Sequence, residues 1–270
     1  MPKKILVKDV HDFLFRLAPR SLAEKWDHVG LQRGSLKETV RGILVSLDVT
    51  EDVLREAKER RANLLVTHHP LYLGPKPRLN DGSPASRLVK AAVRAKIPIL
   101  SFHTNLDSTH QGLNDALAFR LGLKNVSPLV LSRNRKLRGA GLGRVGKTSK
   151  TTLKKFAKRI SAALKLKDFR IVGADDRLIR TVAVMTGSGA GYFREAKKAG
   201  ADLLVTGDVK YHTALDALSE GIALVDVGHF ASEIGMVPLI AGKLREWLRE
   251  MRSHLKVFEA RVQRDPFRFF

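Results

Sequence analysis

Thirty consecutive residues of this chain have a counterpart later in the same chain. "RGILVSLDVTEDVLREAKERRANLLVTHHP" (41–70) aligns without gaps, at an offset of 139, with "RTVAVMTGSGAGYFREAKKAGADLLVTGDV" (180–209). Both read as strand, loop, helix around "REAK", then a strand "A(N/D)LLVT". A strand, a crossover helix and a second strand pack only as a parallel pair with the helix on one face, so the pattern leaves few folds open. The match extends further: His103-x-x-x-Asp107 aligns with His229-x-x-x-Glu233 at an offset of 126, each just past an apolar run. Two matched segments in the same order predict an α/β protein of two similar βαβ-containing halves, related by a pseudo-twofold axis.

Short apolar runs without alternation, expected of strands buried on both faces, lie at Ile43–Leu47, Leu64–Thr67, Ile97–Phe102, Thr181–Met185, Leu203–Thr206 and Ile222–Val227. Helical patterns cover 7–18, 50–60, 84–95, 112–121, 151–165, 190–199, 210–220 and 232–251. The division read from this is a first α/β half at 1–131, a polar, glycine-rich connection at 132–150, and a second half at 151–270.

In open α/β sheets ligands bind outside the carboxyl ends of the strands. Here "HH" (68–69) follows one expected strand, "HTNLD" (103–107) a second and "GHFASE" (228–233) a third. If a helix starts at His229, its ring and the Glu233 carboxylate share a face at i and i+4. The chain contains no cysteine, which excludes disulfides, thiolate zinc sites and cysteine nucleophiles together. A transition metal must therefore be held by nitrogen and oxygen, a set suited to zinc, manganese, iron or cobalt. The set exceeds what one tetrahedral ion needs, and a carboxylate can bridge, so it admits two divalent ions held between the halves. The bland alternative is that strand-end histidines hydrogen-bond locally, as expected for His11, His28, His110 and His254. Neighbouring side chains also diverge in a regular strand, an argument against joint ligation by His68 and His69. Pro70 answers it by turning the chain just after them.

The motifs "WDHVGLQRG" (26–34), "THHPLYLGPKP" (67–77), "HTNLD" with "GLND" (103–115), "TGDVKYH" (206–212) and "DVGHFASE" (226–233) occur in that order along the chain. Together they resemble the Nif-three-like family, the GTP cyclohydrolase I type 2 homologues. The resemblance implies a dinuclear metal centre with ligands at His68, His69, Asp107, His229 and Glu233, the glutamate bridging. It also implies a toroidal homohexamer whose centres face an internal cavity, without the inserted domain of longer members. His28 departs from the pattern, which usually has asparagine there.

Other features carry less. "GLGRVGKT" (141–148) satisfies the P-loop pattern but lacks the apolar strand that should precede it. "GSGAG" (187–191) is a glycine turn ahead of a helix, suited to an anion. Asp208, Lys210 and His212 stand near a strand end as supporting or substrate-contact residues, with structural capping as the equal alternative. The terminal "DPFRFF" (265–270) is expected to dock on apolar surface.

A formal net charge of +22 draws anions. The basic residues are scattered with few aromatics between them, which favours a general anion preference over a dedicated nucleic-acid surface. The N-terminus lacks a signal-peptide pattern and no apolar run is long enough to span a membrane, so a cytoplasmic protein is expected. The leading expectation is a metal-dependent hydrolase of anionic, nucleotide-like substrates, with Glu233, His103 and His212 as candidate catalytic residues. The alternatives are a non-enzymatic metal-binding oligomer, serving as chaperone, store or regulatory partner, and a basic ring that binds nucleic acid.

Overall fold

The computed structural model describes residues 4–74, 82–132, 134 and 136–268. The chain forms two compact units, the first from residues 1–106 and 236–264, the second from 107–235 and 265–270. This partition differs from the expected division at 131 and 151. The stretch 132–150 is no simple connection, because residues 141–152 form a long strand inside the second unit. The last helix and strand return to the first unit instead of completing the second.

In chain order the first unit begins with α1 (Val7–Leu17), β1 (Gly30–Arg33), β2 (Gly42–Ser46), α2 (Glu51–Glu59), β3 (Leu64–Thr67), α3 (Pro84–Ala95) and β4 (Ile99–Ser101). The division between units falls within α4 (Thr104–Ser108). The second unit follows with α5 (Leu113–Arg120), β5 (Lys124–Leu131), β6 (Gly141–Thr152), α6 (Leu153–Leu164), β7 (Arg170–Val172) and β8 (Leu178–Val184). It continues with α7 (Phe193–Lys198), β9 (Leu203–Thr206), α8 (Tyr211–Ser219), β10 (Ala223–Asp226) and α9 (His229–Glu233). The first unit is then completed by α10 (Met236–Glu250) and β11 (Lys256–Glu259).

The first sheet has the order β1-β4-β3-β2-β11. Its four strands from β4 to β11 run parallel, and β1 closes the edge antiparallel. Strands β2, β3 and β4 are buried along their whole length, as unbroken apolar runs require. Leu44, Leu65 and Ile99 pack there with Val53, Leu54 and Ala57 of α2. Helix α2 starts at Thr50, whose hydroxyl accepts the Val53 N–H at 3.1 Å, and Glu51 and Asp52 complement the dipole of its first turn.

The second sheet has the order β5-β6-β8-β9-β10-β7. Only β8, β9 and β10 are mutually parallel. One face packs Val182, Leu203 and Val225 against Leu153, Phe156 and Ile160, while the other packs Ala183, Leu204 and Leu224 against Phe193 and Ala196. Both repeated segments fold as strand, helix and parallel strand. The pairs Ile43↔Leu64 and Leu44↔Leu65 of the first unit have as counterparts Val182↔Leu203 and Ala183↔Leu204 of the second.

All six expected strands and all eight expected helical regions are present, most within a residue or two. The helix expected over 232–251 is two helices, α9 and α10, with the break at Ile234 and Gly235. The strands not anticipated, β1, β5, β6, β7 and β11, lie at sheet edges or carry the polar, glycine-containing sequences of half-exposed strands.

Candidate functional site

In the first unit, β3 delivers its chain end to a bend at His68 and His69. The two residues are no longer in strand geometry. Their N–H groups turn back to the Leu47 carbonyl at 3.2 and 3.0 Å. Both rings therefore lie on the same side, 5.1 Å apart between centroids. His103, just past β4, completes a triangle at 5.1 Å from His68 and 5.3 Å from His69. Each of the three rings brings one ligand atom within 4.8 Å of the others.

What holds the rings is a set of oxygen acceptors on Nδ1. His68 Nδ1 meets the Phe102 carbonyl at 2.8 Å, His69 Nδ1 the Asp48 carboxylate at 2.7 Å, and His103 Nδ1 the Asp27 carboxylate at 3.0 Å. A carbonyl or carboxylate only accepts, so Nδ1 carries the proton and a neutral ring has its lone pair on Nε2. The Asp27 side chain is fully buried and also accepts from the Thr104 backbone N–H at 3.0 Å. Burial alone would raise its pKa. The His103 hydrogen bond and charge and the Thr104 donors outweigh it, holding Asp27 at about 2.

The second unit has its own group of two carboxylates and a histidine ring. Asp107 and Glu233 are both buried, with carboxylate oxygens within 4.8 Å of one another. Asp107 accepts from the Thr186 hydroxyl at 3.3 Å. Helix α9 does place His229 and Glu233 on one face, with His229 Nε2 3.0 Å from Glu233 Oε2. His229 Nδ1 is held by Asp208 at 2.7 Å, repeating the arrangement of the other three histidines. The hydrogen bond that His229 donates to Glu233, against the opposing effect of burial, and the further pull of Asp208 raise the His229 pKa to about 9. Gly187 closes over this pair. Its φ is +65°, and a Cβ there would stand 2.2 Å from Glu233 Oε1.

Of the residues expected at a site, His68, His69 and His103 converge in the first unit, and Asp107, His229 and Glu233 in the second. His212 stands exposed in the first turn of α8, with its ring against Tyr211 at 5.3 Å. Among the described residues no hydrogen bond joins it to these groups. Asp208 was anticipated as a supporting residue and holds His229. Asp27 and Asp48 were not anticipated in that role. The signal for Asp48 was its place, just after β2, at the same sheet end as His69. His28 is exposed, with Nε2 3.1 Å from the Gly74 carbonyl and its ring beside Tyr72.

The P-loop pattern at 141–148 is not a phosphate loop. It lies within β6, paired to β5 and β8. Its Arg144 is buried, and its five N–H groups are spent on Asp115 and on the carbonyls of Gly141, Gly143 and Thr109, all at 2.6–2.7 Å. Of the glycine turn at 187–191, Gly187 serves the Glu233 side chain, and Gly189 donates its N–H to the Thr206 hydroxyl at 3.0 Å. Residues 269–270 of the terminal segment lie outside the described residues, and Phe267 is exposed. No helix among the described residues is long and apolar enough to cross a membrane.

Comparison with known proteins agrees with the motif order. The family model described as Duf34/NIF3 (NGG1p interacting factor 3) matches residues 5–266. A protein of Clostridium acetobutylicum named "GTP cyclohydrolase 1 type 2 homolog" is 34% identical over 264 residues, covering 97% of this chain and 98% of its own. Among solved structures, a hypothetical protein of Staphylococcus aureus superposes with a TM-score of 0.90 at 29% identity, covering 99% of this chain and all of its own. A Bacillus cereus protein related to NIF3 gives a TM-score of 0.91 at 26% identity, with the same coverage.

Proposed function

The chain belongs to the Duf34/NIF3 family, and from that premise we propose that it binds two divalent metal ions through His68, His69, Asp107, His229 and Glu233 and hydrolyses an anionic, nucleotide-like substrate. The observation that carries the reading is the fixed state of the four rings. Each has its Nδ1 committed to an acceptor, the arrangement that orients metal-binding histidines and raises their basicity. The donor set of nitrogen and carboxylate oxygen, without sulfur, fits a borderline divalent cation.

Bound ions would supply a Lewis acid that makes water acidic enough to act as a nucleophile near neutral pH. The chain's own residues do the rest. Glu233, buried at a face shared with His229, carries negative charge into the site and would help hold the ions there. His103, held by Asp27 and outside the proposed ligand set, takes and returns a proton at Nε2. The strongly basic chain attracts an anionic substrate. The names of the bacterial relatives make guanosine triphosphate the first substrate to assay. We extend the proposal to self-assembly as a homohexamer, which the family resemblance implies.

Metal analysis of the purified chain, followed by a panel of nucleotides and phosphoesters with zinc, manganese and iron in turn, tests this. Glu233→Gln should abolish turnover while leaving the assembly intact. Bound metal with no hydrolysis across the panel supports the non-enzymatic metal-binding reading instead. Absence of metal uptake defeats both.

A further inference from the structure

Away from the histidines, helices α2 and α3 of the first unit pack side by side and leave a groove of about 540 Å³ along their outer surface. Its walls carry Arg55 and Lys58 from α2, and Arg87, Lys90 and Arg94 from α3. Its floor is aliphatic, from Leu54, Ala91 and Ala95, and Glu51 is the one carboxylate in the lining. Arg55 is paired with Asp52 at 2.7 Å. Among the described residues, Lys58, Arg87, Lys90 and Arg94 make no ion pair.

Such a row is electrostatically unfavourable unless something covers it. Arg87 and Lys90 are spaced i, i+3, and Lys90 and Arg94 i, i+4, so like charges lie next to one another on α3. We propose that the α2–α3 groove is a docking site for an acidic amphipathic helix of a partner protein. The three cations of α3 span seven residues, about 10.5 Å along the axis at 1.5 Å per residue. A partner helix carrying carboxylates at i, i+3 and i+7 repeats that spacing, because both helices have the same rise. Ala91 and Ala95, one residue on from Lys90 and Arg94, are short enough to let a third helix approach α3 closely and seat apolar side chains between the cations. Three of the five cations are arginines, whose fork matches a carboxylate with two parallel hydrogen bonds. A nucleic acid fits the lining less well, since no aromatic side chain lies in it to stack a base and the apolar floor would face sugar and phosphate.

The site stands apart from the proposed metal chemistry and survives its failure. The test uses the full chain and a fluorescein-labelled 18-residue peptide with glutamates at i, i+3, i+7 and i+10 and leucines along the adjoining stripe. Fluorescence anisotropy should give saturable binding that K90E/R94E weakens at least tenfold. K155E/K158E, an equal charge change on exposed positions of α6, should leave it within about twofold. R55Q/K58Q, on the opposite wall, is the second groove variant should K90E/R94E lower the melting temperature. A peptide of the same composition in scrambled order should bind at least tenfold more weakly. Equal losses in the groove and α6 variants, equal binding of the scrambled peptide, or no binding at all would overturn the proposal. So would a 20-base-pair duplex that binds in the groove-dependent way while the peptide does not.

Discussion

Gly187→Ala separates the candidate site from the fold that carries it. The glycine has φ +65°, and an added Cβ would stand 2.2 Å from Glu233 Oε1. To restore an ordinary contact of 3.4 Å, the carboxylate must retreat by about 1.2 Å. Glu233 is buried and ion-paired to His229, so it cannot move without breaking that geometry. Sites tolerate misplacement of only about 0.5 Å, and an error near 1 Å costs on the order of a hundredfold in function. Metal affinity should therefore fall by about 10- to 100-fold. The fold should lose roughly 1–2 kcal/mol, the cost of a side chain in left-handed backbone. Chelator competition with zinc or manganese reads the first quantity and urea denaturation the second. Gly191→Ala is the control: nothing lies within 4 Å of its would-be Cβ and its φ is ordinary, so metal affinity should stay at the wild-type value and stability should hold or rise by up to about 1 kcal/mol. Unchanged metal affinity in Gly187→Ala would refute the placement of Glu233 among the ligands.

Three further outcomes are expected. Asp48→Asn and Asp208→Asn loosen the rings of His69 and His229 without touching the core, and each should lower metal affinity about 10- to 100-fold with little change in melting temperature. Arg144→Ala leaves Asp115 and several carbonyls without their donor, and should cost about 3 kcal/mol in urea denaturation. Burial would raise the Glu56 pKa, but the Arg261 N–H, the Arg60 side chain and the Val262 N–H outweigh it and hold it below its ordinary value of 4.5. A carboxylate depressed on folding stabilises the native state above its unfolded pKa and loses that contribution as pH falls through the folded value. The stability advantage of the wild type over Glu56→Gln should therefore be full at neutral pH and shrink as the pH is lowered below about 4.5, measured by denaturation at a series of pH values.

The parallel strands were legible because they are unbroken apolar runs. "ILVS" and "LLVT" have one reading when a turn and an amphipathic helix follow or precede them. Strand β6 was not, since "GLGRVGKTSKTT" hides a strand behind glycines and lysines. Two of its glycines leave their carbonyls to Arg144. The partition into units was illegible for a related reason: α10 and β11 follow the second unit in sequence, yet β11 pairs with β2. That is a long-range choice no local pattern announces. At the candidate site, residue identity and strand ends were enough to name the rings and carboxylates. The aspartates behind the rings were harder to find. Asp27 precedes His103 by 76 residues, and only the tertiary structure brings them together.

The positions that follow the two "LLVT" strands carry different residues at matching strand ends. Under the offset of 139, His69 corresponds to Asp208. In the first unit that position carries an imidazole steadied by an aspartate from another loop; in the second it is the aspartate that steadies an imidazole from elsewhere. In both cases the ring has surrendered its rotational freedom when the chain folds, before any ion arrives. An ion bound as proposed would meet rings already oriented, with little side-chain ordering left to oppose it. Under the proposed metal-binding reading, capture would then be opposed mainly by dehydration and proton release.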